Sequence, residues 1–222
     1  VLMWAVSPSQ SAVVGDLLVF FLKQNIWTEQ NFLYLSHNRK FAEFLFSGFD
    51  LMDRSVYCSD AILKYLANKY DVPDHWYPRQ PEKRARVDEY TAWHHSNTRP
   101  HAAKVFILEV LLPTQTGSPV NEGSLSRALS QLDDTLDKME SMFLRRQPFL
   151  CGDDITVADL LAVCELMQPL GGGRDVLKDR PPLQRWRSRV QAAVGEHFDR
   201  AHAILYALRD PKIINGSDWL DH

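Results

Sequence analysis

The sequence predicts a chain of mixed class, α/β plus all-α. A small thioredoxin-like α/β unit, whole or truncated, would occupy residues 1–70, and an all-helical bundle would occupy 82–210. Three observations lead to this division. Leu125, Leu129, Leu132, Leu136, Met139 and Phe143 are spaced four, three, four, three and four residues apart, which places them on one stripe of one helix. The stretch 71–82 holds Pro73, Pro78 and Pro81 with Trp76 and Tyr77, a composition unsuited to a helix interior. Before it, short β-prone runs alternate with helical ones, the order of a compact α/β unit.

In chain order, Met3-Trp4-Ala5-Val6 reads as a short strand, Ser7–Ser11 as a turn, and residues 12–24 as a helix. Phe32-Leu33-Tyr34-Leu35 and Ser55-Val56-Tyr57-Cys58 are β-prone. Ser59 or Asp60 can cap a helix over Ala61–Lys69. Residues 71–81 form an extended linker pinned by Trp76 and Tyr77. A long helical segment follows over about 82–112, and Pro100 should kink or end it. The striped helix covers about 124–144. A third helix runs from Thr156 to about Met167. Leu183, Trp186, Val190 and Val194 mark a fourth, and Ala201, Ile204, Leu205 and Leu208 a fifth. Trp76, Trp93 and Trp186 are expected core anchors. Gly171-Gly172-Gly173 follows a helix and Pro169 with no strand before it, so it reads as a loop and not a phosphate cradle. The tail 211–222 has little apolar periodicity and should be loosely held.

Composition narrows the function classes. The 222 residues are 45% hydrophobic and 24% charged, ordinary for a folded globular chain. With 25 Lys and Arg against 28 Asp and Glu, the net charge is −3, which gives no electrostatic footprint for nucleic acid or an anionic membrane. The apolar run Leu17–Leu22 is too short to span a bilayer. Residues 1–22 lack a basic leader region, and Asp16 interrupts their apolar part, so a secretory signal is not expected. Cys58, Cys151 and Cys164 give neither a disulfide framework nor a zinc motif, which fits a reducing, cytoplasmic setting. His94 and His95 are adjacent and not spaced as a metal pair, so no metal site is expected and both read as packing or surface residues.

Thr156-Val157-Ala158-Asp159 fits a helix capping box, with Ile155 and Leu160 placed as a hydrophobic staple. Its surroundings, Phe149-Leu150-Cys151-Gly152-Asp153-Asp154-Ile155-Thr156-Val157-Ala158-Asp159-Leu160, resemble the signature within the C-terminal domain of cytosolic glutathione transferases. Tyr70–Pro78, Arg84–Tyr90, Trp93–Arg99, Glu165–Pro169 and Arg180–Arg187 are similar to the theta class of that family. The resemblance covers about residues 59–208. It implies a thioredoxin-like glutathione-binding domain, an all-helical domain that lines most of the electrophile pocket, and a cytoplasmic homodimer. It implies no cofactor, with glutathione as co-substrate.

The resemblance also assigns site residues. Ser7 best matches the serine that stabilises the glutathione thiolate, with Ser9 and Ser11 as alternatives in a turn whose register is shifted. Lys40 and His37 fall where the family grips the glycine carboxylate. Ser59 matches the serine that holds the γ-glutamyl end at a helix N-terminus. Cys58 stands where the family has a glutamate, which leaves Asp60 as the remaining carboxylate for the ammonium. Cys58 itself reads as a buried inert cysteine or as a redox thiol. Arg99 matches a theta arginine on the electrophile side of the sulfur. No proline occurs between Phe44 and Ser59, where the family has a cis-proline, and the stretch 45–54 is shorter than the family's. The expected activity is conjugation of the glutathione thiolate to small hydrophobic electrophiles. The alternative is a non-catalytic, transferase-like binding or dimerisation protein.

Overall fold

The computed structural model describes residues 49–51, 54–56, 58–70 and 72–208. The expected elements of residues 1–48, with Ser7, Ser9, Ser11, His37 and Lys40, lie outside the described residues, as does the tail 211–222.

Strands β1 (Phe49–Leu51) and β2 (Arg54–Val56) form an antiparallel pair in which Phe49 faces Val56, Asp50 faces Ser55 and Leu51 faces Arg54. The expected strand over Ser55–Cys58 therefore begins one residue earlier and stops at Val56. Helix α1 (Ser59–Lys69) follows at once. Its cap is Cys58, not Ser59 or Asp60, because the Ile62 N–H donates to the Cys58 carbonyl at 3.0 Å and Ser59 is already helical. Ile62, Leu63 and Leu66 turn its apolar face inward.

Between α1 and the next helix both aromatics are engaged. Trp76 is buried within a short 3₁₀ turn, Asp74–Trp76. The Tyr77 hydroxyl donates to Asp88 at 3.1 Å, and the Arg84 guanidinium lies 4.5 Å from the centre of the Tyr77 ring.

Helix α2 (Pro81–Ser96) starts with proline in its first turn, where a missing N–H costs nothing. The break in the long segment falls at Asn97 and not at Pro100. A proline cannot bond the carbonyl four residues back and its ring collides with it. Asn97 leaves helical angles, its side chain donates to the Trp93 carbonyl at 2.9 Å, and Pro100 then falls in the first turn of α3 (Thr98–Phe106). A π-turn, Ile107–Leu111, links α3 to the short α4 (Leu112–Thr116).

The striped helix is α5 (Glu122–Lys138), continued by a second π-turn, Met139–Leu144. Asn121 caps it by accepting from the Ser124 N–H at 2.9 Å. Leu125, Leu132, Leu136, Met139 and Phe143 are buried as the stripe predicts, and Leu129 is half-buried.

Helix α6 (Val157–Met167) is the centre of the fold. All eleven of its residues are buried. A helix that is apolar nearly all round belongs in a core, and α6 packs against α1, α2 and α3. On its other sides lie α7 (Pro181–Val194) and α8 (Glu196–Leu208). Leu183, Trp186, Val190 and Val194 of α7 are buried as expected. Helix α8 starts earlier than its periodicity suggested, and Phe198, Ala201, His202 and Leu205 are buried.

The glycine run is not a loop. Gln168–Gly172 is a 3₁₀ turn, and Gly173 ends it at φ 84°. A Cβ on Gly172 would lie 2.6 Å from Val110 Cγ2, so the turn and the first π-turn approach more closely than any side chain allows.

Candidate functional site

The described part of the candidate site starts at the N-terminus of α1. Cys58 is exposed, which corrects the expectation of a buried thiol, and its side chain caps nothing. Beside it Ser59 is 7% exposed, and among the described residues its hydroxyl has no hydrogen-bond partner. A buried hydroxyl without a partner is costly. Here it sits where the first backbone N–H groups of an eleven-residue helix concentrate positive potential. That combination suits a carboxylate.

Asp60 is engaged elsewhere. Lys64 binds it at 2.9 Å, binds Asp88 at 2.7 Å, and donates to the Thr91 hydroxyl at 2.8 Å. Burial opposes the Lys64 charge, but the bonds to Asp88 and Asp60 outweigh it and the pKa is raised. This cluster ties α1 to α2 and holds Asp60 toward Lys64.

A second group lies at the start of α3. The Arg99 side chain is 27% exposed, and its Nε lies 3.6 Å from Oε1 of Glu165, which has no exposure. Glu165 Oε2 accepts from the Gln168 side chain at 2.6 Å, while Oε1 accepts no hydrogen bond among the described residues. Burial pushes the Glu165 carboxyl up to about 8, against the opposing pull of Arg99 and Gln168. Nearby His94 is buried. Its burial, with the His95 and Arg99 charges, lowers its pKa to about 3, so the ring is neutral at neutral pH. Both α1 and α3 rest on α6, so one helix sets where Ser59 and Arg99 stand.

The capping box forms, with more partners than the sequence suggested. The Thr156 hydroxyl accepts from the Ala158 N–H at 3.2 Å, and Asp159 Oδ2 accepts from the Thr156 N–H at 2.9 Å and its hydroxyl at 3.1 Å. Asp159 Oδ1 accepts from the Leu150 N–H at 2.9 Å and the Trp186 indole at 2.8 Å. This carboxylate joins three segments and serves the fold. Cys151 and Cys164 are half-buried and buried, and burial raises both thiols, which leaves them unreactive.

Glu165 was legible only as part of a motif. The available signal was one acidic residue inside the apolar run Leu160–Met167, which demands a buried partner. Among the described residues there is no cluster of three or more metal-ligating side chains, and no helix is long and apolar enough to cross a membrane.

Comparison with known proteins gives the same direction. Residues 104–193 match the family model for the glutathione S-transferase C-terminal domain. The chain is 46% identical over 151 residues to glutathione S-transferase theta-1 of Gallus gallus, covering 68% of this chain and 58% of that protein. It is 46% identical over 153 residues to the Homo sapiens theta-1 protein, covering 68% and 64%. The chain thus matches less than two thirds of the length of these relatives. Apo human glutathione-S-transferase T1-1 superposes with a TM-score of 0.73 at 35% identity over 92% of this chain and 91% of that one. Human glutathione transferase theta-2, in complex with glutathione and an unknown ligand, gives 0.73 at 32% identity over 90% and 85%. The sequence signature, the helical bundle built on a capped central helix, and these likenesses agree: the chain belongs to the theta class of the glutathione S-transferases.

Proposed function

We propose that this chain is a glutathione transferase of theta type that joins the glutathione thiolate to small hydrophobic electrophiles, acting as a cytoplasmic homodimer in detoxification. The observation that carries the reading is the buried Ser59 hydroxyl at the N-terminus of α1, which has no hydrogen-bond partner among the described residues. In this reading Ser59 donates to the γ-glutamyl carboxylate and the helix N-terminus adds its partial positive charge. The exposed Cys58 lies beside the same group. Lys40 grips the glycine carboxylate. The complex of a human theta-2 relative with glutathione supports this choice of ligand.

The chemistry then follows. A thiol with pKa near 8.5 is mostly protonated at neutral pH, and each unit of lowering is about 1.4 kcal/mol. The Ser7 hydroxyl donates to the sulfur and stabilises the thiolate, and the thiol proton passes to solvent. The sulfur lone pair attacks an electrophilic carbon, a C–S bond forms, and the leaving group departs with its electron pair. Arg99 stabilises the charge that gathers on the leaving group.

The test is retention on immobilised glutathione, then conjugation of a nitrobenzyl halide. Wild type should bind and turn over. Ser59→Ala should weaken glutathione binding about tenfold, the worth of one hydrogen bond to a charged group. Ser7→Ala should instead cut turnover and leave binding less affected. A wild-type chain that ignores glutathione would overturn the reading in favour of a non-catalytic binding protein.

A further inference from the structure

We infer that Glu165 is a positioning residue for Arg99: from inside the bundle its carboxyl group holds the guanidinium at one place at the start of α3. The inference rests on the reading of Arg99 as the cation beside the electrophile, and it adds the residue that fixes that cation.

The geometry is specific. Glu165 has no solvent exposure and stands on a helix whose other residues are also buried. A carboxylate there is expensive unless paired, and replacing it by an apolar side chain would carry no such cost. Gln168 holds Oε2 at 2.6 Å, so the carboxyl plane cannot rotate freely. The other oxygen accepts no hydrogen bond among the described residues and lies 3.6 Å from Arg99 Nε. Arginine presents its donors as a rigid planar fork, so fixing Nε orients the terminal amino groups as well. The Arg99 side chain reaches partly into solvent while its anchor does not. That is the arrangement of a cation aimed outward from a buried hold.

Other titrating groups are separable from this pair. Among the described residues, Arg99 from α3, Tyr90 from α2 and the neighbouring Cys164 act electrostatically on Glu165. Burial carries Tyr90 and Cys164 upward and carries His94 down to about 3, and His95 is also lowered. Among these described groups, a titration near 8 belongs to Glu165.

The experiment uses the full chain with ¹³C-labelled arginine. The Arg99 Cζ resonance, assigned through Arg99→Lys, should move in wild type with a midpoint near 8 and stay flat in Glu165→Gln. With glutathione and a nitrobenzyl halide at about pH 9, above the Glu165 midpoint, Glu165→Gln should lower kcat about tenfold and leave KM for glutathione within about twofold. In an Arg99→Ala background the same substitution should add nothing, because its effect passes through Arg99. An Arg99 resonance that is the same in wild type and Glu165→Gln at every pH would overturn the inference, and so would kinetic losses that multiply in the double variant. If wild type shows no turnover but the Arg99 resonance follows Glu165, the transferase reading falls and the positioning of Arg99 by Glu165 stands.

Discussion

Replacing Asp159 by alanine should cost far more than the loss of a helix cap. A cap alone is worth about 1 kcal/mol, and Thr156→Ala measures that loss. Asp159→Ala removes the acceptor for three buried N–H donors, those of Leu150, Thr156 and the Trp186 indole. Each buried donor left unpaired costs about 1–3 kcal/mol, so the total should reach about 4 kcal/mol or more. Urea denaturation followed by tryptophan fluorescence reads the difference. With a slope of about 2.5 kcal/mol per molar, the midpoint should fall by about 1.6 M for Asp159→Ala and about 0.4 M for Thr156→Ala. Adding Trp186→Phe to Asp159→Ala should cost less than the two separate losses combined, because it removes one orphaned donor. Equal midpoints for Thr156→Ala and Asp159→Ala would refute the view that Asp159 joins three segments.

The buried histidines set an acid limit. His94 and His202 have folded pKa values lowered by burial to about 3 and about 4, below the unfolded value of 6.5. The unfolded chain therefore binds protons that the fold refuses, and stability should fall as pH drops below 6.5, on the order of 1–2 kcal/mol from each by pH 5. His202→Gln should flatten that decline in denaturation midpoints measured from pH 7 to 5. Glu165 works in the opposite direction: its folded pKa of about 8 lies above the ordinary 4.5, so its contribution weakens as pH rises through that window. Glu165→Gln should remove that loss, which falls between about pH 4.5 and 8. Gly172→Ala should cost about 1–3 kcal/mol by overpacking against Val110, and Val110→Ala should recover part of it in a double variant scored by thermal melting.

Much of the helical part was legible because burial leaves a periodic trace. The α5 stripe and the Leu183–Val194 pattern needed only spacing. The capping box was legible because its partners are three residues apart in the chain. Distant partners leave no such trace. Nothing local to Asp159 announces the Trp186 indole, and nothing local to Glu165 announces Arg99. The break at Asn97 was misplaced because a proline acts on the turn before it, so the helix yields ahead of Pro100. Ser59 stands at the start of α1 but is not its cap: Cys58 holds that place, and among the described residues the Ser59 hydroxyl has no partner. Ser7 and Lys40 rest on the family resemblance.

The complete burial of α6 bears on how the molecule opens. Its amide hydrogens have no solvent-facing side from which to exchange, and α1, α2, α3, α7 and α8 all lean on it. Deuterium can reach the middle of α6 only when that whole assembly comes apart, so those amides time the largest opening the chain undergoes. Amides at the start of α1 face a smaller barrier, because releasing α1 from α6 is enough. The gap between the two exchange rates would measure how firmly the helix that carries Ser59 is moored to the bundle that carries Arg99.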